Sequence, residues 1–161
     1  MILFVCVSAV IGCTAGGGGT GTTLTPFYFP GNDGTHGYEL WKTDGTAAGT
    51  VMVKDINSGA SNSYPEYFAY VNGTVYFRAD DGTNGEELWK SDGTEVGTTM
   101  VKDIIVGSGS SSPGFFADVN GTLFFKADNE IYSIEPWRSD GTATGTVMIK
   151  DLNPGLGEGF Y

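Results

Sequence analysis

The chain has 161 residues, and its 8 Lys and Arg against 19 Asp and Glu give a formal net charge of −11. This balance argues against nucleic acid as a partner, because phosphate binding needs a cationic surface. An apolar content of 40% with 13% aromatic residues is too high for a disordered chain, and the length suits one domain. One His and two Cys leave few of the residue types that build catalytic or metal sites.

The first element is a continuous apolar run over residues 1–12, which is shorter than the roughly 20 residues that span a bilayer as a helix. Its length is typical of the apolar core of a secretory signal peptide. Cys13 and a Gly/Thr-rich stretch follow, so the segment resembles a bacterial lipoprotein signal. The resemblance implies that Cys13 is lipidated and that residues 13–24 form a flexible tether. We therefore expect an extracytoplasmic protein that is lipid-anchored to a bacterial membrane or cell surface, or secreted after a plain signal peptide; a buried first strand is the structural alternative.

The rest of the chain is an internal repeat with a spacing of 48 residues and no insertion in its core. Four short motifs carry it, with small variations in the third copy. They are Glu-Leu-Trp-Lys at 39–42, 87–90 and 135–138; Asp-Gly-Thr at 44–46, 92–94 and 140–142; Gly-Thr at 49–50, 97–98 and 145–146; and Val-Lys-Asp-Ile at 53–56, 101–104 and 149–152.

The second unit predicts a four-stranded antiparallel meander. Asn72-Gly73 between two apolar runs is a strong hairpin signal, because a type I′ turn needs positive φ at both central positions. Gly-rich turns separate the later runs, and a Gly/Ser/Pro linker over 107–113 leads to the next meander. The predicted strands are 66–71, 74–79, 86–90 and 98–104.

Both faces of this sheet are apolar, since Val75, Tyr76 and Phe77 are consecutive. A sheet of this kind has to be covered on both faces, which favours a β-propeller over a sandwich with polar outer faces. We therefore predict an all-β, β-propeller-like array of about three four-stranded antiparallel blades, open or closed by oligomerisation. The three units span about 25–60, 61–108 and 109–156 within residues 25–161.

The first predicted blade is incomplete, because residues 17–23 align with an apolar inner strand of the second unit and contain no apolar residue. Propellers typically have about 4 to 8 blades. An open stack of three would leave two apolar faces in water, at a cost on the order of 10 kcal/mol per face. We expect either a homo-oligomer that completes a propeller ring or a chain that is a fragment of a longer gene.

At these motifs the chain resembles the bacterial ELWxxDGTxxGT repeat family of secreted and surface proteins. The resemblance covers about residues 25–156 and departs in the third unit, which has Pro136 for Leu and Arg138 for Lys. It implies propeller-like blades and an extracytoplasmic location, and it implies no particular reaction.

Residues that recur in every unit are interpreted as scaffold. The tryptophans are expected to pack between blades, the aspartates of the Asp-Gly-Thr turns to brace those turns, and the cations to pair with acidic residues on adjacent strands. The tryptophans are Trp41, Trp89 and Trp137, and the aspartates are Asp44, Asp92 and Asp140. The cations are Lys42, Lys54, Arg78, Lys90, Lys102, Lys126, Arg138 and Lys150, and their expected partners are Glu39, Glu87, Glu135, Asp55, Asp103 and Asp151.

The acidic loop of the second unit is the best candidate for a cofactor site, and the cofactor that its oxygen ligands suit is calcium. Ca²⁺ takes six to eight hard oxygen ligands. The candidate ligands are Asp80, Asp81, Asn84 and Glu86. The loop does not have the spacing of a standard calcium loop, so a solvated turn remains the alternative.

Residues that differ between units usually mark the binding surface of a repeat protein. Here they fall in the loop between the second and third strands, and the expected contact residues are His36, Tyr38, Glu86, Glu130, Ile131 and Tyr132. The predicted function is a non-catalytic cell-surface lipoprotein that binds a protein or glycan. The alternatives are a calcium-stabilised adhesion repeat and a fragment of a carbohydrate-active propeller enzyme, although both arginines fall at repeat positions rather than at unique ones.

Overall fold

The structure is a computed structural model that describes residues 25–131 and 133–152. Over these residues it is all-β, with three antiparallel sheets and no helix. The first sheet contains β1 (Phe27–Gly31), β2 (Glu39–Thr43) and β3 (Val51–Lys54); the second contains β4 (Glu66–Val71), β5 (Thr74–Asp80), β6 (Glu86–Ser91) and β7 (Thr99–Lys102); the third contains β8 (Gly114–Val119), β9 (Thr122–Asp128), β10 (Ile134–Ser139) and β11 (Val147–Met148).

Each sheet is a meander built from one sequence unit, because its strands pair in chain order. The prediction for the second unit is confirmed, with β4 at the predicted residues and β5 and β6 one residue longer. The outermost strand is shorter than predicted. Thr98 belongs to the preceding turn, since its amide donates to the carbonyl of Glu95 and its hydroxyl to the carbonyl of Thr94.

The hairpin turns between the first two strands of the second and third units have the predicted conformation. Asn72 and Gly73 have φ values of 50° and 81°, and Asn120 and Gly121 have 53° and 80°. Positive φ at both central residues defines the type I′ turn, whose twist matches that of the flanking strands.

The three sheets stack face to face, and the core lies between them. We call the face directed towards the next sheet along the chain the leading face, and the opposite one the trailing face. The leading face of the first sheet packs on the trailing face of the second in one buried cluster. The leading face of the second sheet packs in the same way on the third. The first cluster contains Tyr28, Leu40, Val53, Ile56, Val75, Phe77, Ala79 and Trp89, and the second contains Val71, Tyr76, Leu88, Val101, Leu123, Phe125, Ala127 and Trp137.

The two clusters use equivalent positions of the repeat, so the same interface is built twice. Trp89 and Trp137 are each 6% exposed, as expected for packing between sheets. Trp41 is only half-buried, because within the described residues no sheet precedes its own. The middle sheet is therefore the only one of the three described that is covered on both faces.

No helix among residues 25–131 and 133–152 is long and apolar enough to cross a membrane. The predicted signal segment, Cys13 and the tether lie outside the described residues, as does the segment over 17–23.

Substituting Phe77→Ala should lower the free energy of unfolding by about 3–5 kcal/mol, because the ring is fully buried and leaves a cavity. Phe29→Ala is the matched control, since Phe29 occupies the equivalent position on the uncovered trailing face of the first sheet and is only half-buried. Urea unfolding in dilute solution measures both values. Equal losses would contradict the stacking of the first two sheets.

Candidate functional site

The antiparallel meanders place two kinds of connection at opposite ends of the sheets. One end, here called the turn end, carries the hairpin turns and the Asp-Gly-Thr turns. The other end, the loop end, carries the variable loops and the linkers that lead from one sheet to the next. The loop end comprises residues 32–38, 55–65, 81–85, 103–113, 129–131 and 133.

The Asp-Gly-Thr turns of the turn end are braced by their own side chains. Oδ1 of Asp92 accepts hydrogen bonds from the amide and the hydroxyl of Thr94, at 2.8 and 2.7 Å, and the Thr94 hydroxyl oxygen accepts one from the amide of Gly97. Equivalent bonds occur at Asp44 and Asp140. The hydroxyl bond from Thr94 holds the pKa of Asp92 below its ordinary value. The predicted role of these aspartates in bracing turns is confirmed.

The lysines do not form the predicted ladder with acidic residues. Lys42 Nζ donates to the carbonyl of Gly93 at 2.7 Å, and Lys90 Nζ donates to that of Gly141 at 2.8 Å. These cations therefore join the leading face of one sheet to the Asp-Gly-Thr turn of the next. Arg78 is different, since its guanidinium contacts both Glu66 and Glu86 on strands of its own sheet.

The glutamates of the Glu-Leu-Trp motif are buried acceptors rather than partners of the lysines. Glu87 is 0% exposed, and its carboxylate accepts bonds from the amides of Ile104, Ile105 and Ser111 and from the Ser111 hydroxyl. Glu39 makes the same set of bonds one unit earlier. Each glutamate thus anchors the linker that follows its sheet. Burial raises the pKa of Glu87 to about 6, despite hydrogen bonds that favour its ionised form.

At the loop end, His36 is held by its own turn. Its Nδ1 lies 2.7 Å from a carboxylate oxygen of Asp33, and the amides of Thr35 and His36 donate to the other oxygen. The hydrogen bond that the His36 ring donates to Asp33 raises the pKa of His36, and the same bond lowers the pKa of Asp33 to about 2. These contacts explain the conformation of the turn and leave the ring at the surface.

Tyr38 is the predicted contact residue with the most distinctive surroundings. Its ring stacks on that of Tyr64, with centroids 6.1 Å apart and an interplanar angle of 18°. The two side chains stay 46% and 55% exposed, so the pair forms an apolar surface in water. The Asn62 side chain accepts from the Tyr38 amide and donates to the Tyr64 hydroxyl, which fixes the pair.

Tyr64 was missed by the sequence analysis, although the signal was available. Ser112 occupies the equivalent position of the next unit, so Tyr64 satisfies the same rule of variation between units that selected Tyr38. Tyr67 and Phe115 were also missed. They are equivalent to each other, are exposed, and lie beneath the cations of Arg78 and Lys126 respectively.

The other predicted contact residues also lie at the loop end, distributed over the second and third sheets. Glu86 binds Arg78 and accepts from the Ser112 hydroxyl. Glu130 and Ile131 are exposed in the loop before β10, where the Glu130 amide donates to Asp128. Tyr132 lies outside the described residues. The fold therefore gathers the described members at one end, on loops of the first and third sheets and at the first residue of β6.

Three of the four predicted calcium ligands take part in the hydrogen bonds of their own loop, and the fourth, Glu86, binds Arg78 and Ser112. Asp80 accepts from the Gly82 amide, and Asp81 accepts from the amides of Thr83 and Asn84 and from the Asn84 side chain. Among the residues that the structure describes, no group of three or more His, Cys, Asp or Glu is arranged to hold a metal ion. Calcium binding by this loop remains a prediction from the sequence.

Comparison with models of known protein families finds no match, and neither the curated proteins nor the solved structures give a significant match.

The contribution of Glu87 to stability should depend on pH. Its folded-state pKa of about 6 lies above the ordinary value of 4.5, so the fold favours the protonated form. The contribution is therefore complete below about pH 4.5 and is reduced by about 2 kcal/mol as the pH rises through about 6. Urea unfolding of wild type and Glu87→Gln between pH 4 and 7 gives the difference in stability, which should shrink across this window. Parallel profiles would contradict the raised pKa.

Proposed function

We propose that this chain is a non-catalytic, extracytoplasmic lipoprotein of the ELWxxDGT repeat type, and that its repeats form propeller-like blades that bind a surface partner at the loop end. The observation that carries the proposal is the exposed and prearranged Tyr38–Tyr64 pair among residues that vary between units. Scaffold and binding surface are thus separated within each repeat.

The use of the recurrent polar residues supports a non-catalytic role. The buried glutamates anchor linkers, the turn aspartates brace turns, and four of the lysines join consecutive sheets. Arginines of a carboxylate-binding enzyme would converge on a cleft, whereas Arg78 is paired with two glutamates of its own sheet. These contacts give the repeat residues structural roles.

The packing of the innermost strands supports the propeller-like arrangement. β4 and β8 are the first strands of their sheets and lie against each other, with the rings of Tyr67 and Phe116 6.5 Å apart. At the turn end, the Asn72 side chain donates to the carbonyl of Gly121 in the neighbouring hairpin. In a propeller, the innermost strands of successive blades adjoin around the central axis.

The chemistry of the loop end favours a neutral glycan as the partner. Exposed tyrosine rings offer flat apolar surfaces with a polar hydroxyl, which suits the mixed apolar and polar faces of a sugar. Carboxylates at this end, such as Glu86 and Glu130, can accept hydrogen bonds from sugar hydroxyls. The net charge of −11 disfavours an anionic ligand.

Replacing both tyrosines, Tyr38→Ala with Tyr64→Ala, should reduce binding to an array of neutral glycans at least tenfold, because the apolar platform is lost. Val96→Ala is the matched control, since Val96 is 89% exposed but lies at the turn end of the second sheet. The control should bind as wild type does. Equal binding by wild type and the double variant, or no binding of wild type to any neutral glycan, would contradict a glycan site at this pair and favour a protein partner.

Lipidation at Cys13 is tested separately. The full chain, expressed in a bacterial host fed an alkyne-tagged fatty acid, should incorporate the tag, and Cys13→Ser should abolish incorporation. Cys6→Ser should retain it, because Cys6 lies within the predicted signal segment. An untagged wild-type chain would contradict the lipoprotein assignment and leave the binding proposal unaffected.

A further inference from the structure

The interface between consecutive sheets occurs twice in the described residues, and its apolar part is the same both times. Leu40 of the first sheet and Leu88 of the second, both 0% exposed, occupy the same position on the leading faces. Phe77 and Phe125 are likewise equivalent on the trailing faces that cover them. The chain itself therefore shows how a leading face packs on a trailing face.

The polar part of this interface is repeated as well. In each copy, a lysine next to the Leu-Trp pair donates to the glycine carbonyl of the following Asp-Gly-Thr turn. A tyrosine from the same face reaches that glycine too, since a Cβ added to Gly93 would lie 2.6 Å from the Tyr28 hydroxyl. A second lysine, Lys102, donates to the carbonyl of Thr146 at 2.8 Å.

Among the residues that the structure describes, no sheet covers the leading face of the third sheet. Its members are Phe124, Pro136 and Ile149, at the positions of Tyr76, Leu88 and Val101 in the internal interface. Ile149 is 47% exposed, whereas Val101 is 6% exposed. Phe124 and Pro136 border an open, mainly apolar groove of about 390 Å³ that Phe115, Ile134 and Leu152 also line.

The leading face of the third sheet carries cations at the positions of the lysines in the internal interface. Arg138 and Lys150 occupy the positions of Lys90 and Lys102, and both are exposed. Within the described part of the chain neither side chain makes a hydrogen bond or ion pair. Their internal equivalents, Lys90 and Lys102, bind the carbonyls of Gly141 and Thr146 in the next sheet. Arg138 and Lys150 occupy the same positions, but among the described residues no next sheet offers them such carbonyls.

Within residues 25–131 and 133–152, no sheet covers the complementary trailing face of the first sheet. Phe27 is 60% exposed, whereas its equivalents Val75 and Leu123 are 1% and 0% exposed. Its Asp-Gly-Thr turn is also uncovered, because a Cβ on Gly45 would meet no atom within 4 Å, in contrast to Gly93. Each free face thus corresponds to one half of the internal interface.

We propose that a second copy of this chain binds head to tail, with the leading face of the third sheet of one copy on the trailing face of the first sheet of the other. Arg138 of one copy then reaches the Asp-Gly-Thr turn at Asp44 of the other, as Lys42 reaches the turn at Asp92 within the chain. The charges are complementary, because the guanidinium of Arg138 would meet a turn that carries the carboxylate of Asp44. Such an interface is heterologous, so each copy has one binding face of each kind to offer.

This asymmetry gives a decisive test with two single variants of the full chain in a mild non-ionic detergent. Ile149→Arg blocks the leading face, and Phe27→Arg blocks the trailing face; both side chains are exposed, so the changes should preserve the fold. Each variant alone should sediment as a monomer, because every contact needs one face of each kind. An equimolar mixture should recover a pair of twice the chain mass, since it restores one intact interface.

Wild type should sediment at two or more chain masses, and Val106→Arg, at an exposed linker position, should behave as wild type does. Arg138→Glu is a milder variant that should weaken association at least tenfold. Monomeric wild type at 0.1 mM would overturn the proposal. Two other results would also overturn it. One is association of both variants as strong as that of wild type, which would point to the apolar segment over 1–12. The other is failure of the mixture to pair. Glycan binding is measured independently, so loss of either result does not decide the other.

Discussion

The constraint on which the structure depends is that each sheet is apolar on both faces. Burial of Leu88 on one side of β6 and of Trp89 on the other requires a neighbour on each side of the second sheet. A single meander of this kind could not fold alone, since both of its apolar faces would stay in water. The free energy of folding therefore comes from stacking, and the same property leaves apolar side chains such as Phe27 and Ile149 exposed on the first and third sheets.

The polar residues of the repeat extend this stacking to the ends of the sheets. A buried carboxylate such as Glu87 is costly unless hydrogen bonds satisfy it, and here four donors from the following linker do so. These hydrogen bonds thereby fix the position of the linker as it leads to the next sheet. At the opposite end, lysines such as Lys90 connect the turns. The repeated residues are used in these contacts. The residues that vary between units therefore lie at the loop end, where Tyr38 and Tyr64 are exposed to water.

The strands and turns of this protein could be predicted because their signals are local. Asn72-Gly73 requires a type I′ turn, and the apolar runs on either side have strand length. The expected pairing of lysines with glutamates was wrong, and the geometry of a β-strand explains why. Lys102 and Lys126 are the cross-strand partners of Leu88 and Pro136. Glu87 and Glu135 each precede those partners by one residue, so they project from the opposite face of the sheet, where these lysines do not reach.

By itself, the sequence determined the repeat, the meander and the requirement that both faces be covered, because these follow from spacing, turn chemistry and apolar content within about 48 residues. Only the tertiary structure decided which face meets which sheet, that Lys42 ends at Gly93, and that Tyr64 stacks on Tyr38. Those contacts join residues of different strands, linkers and sheets. Their partners are selected by the packing of whole sheets, which no local pattern encodes.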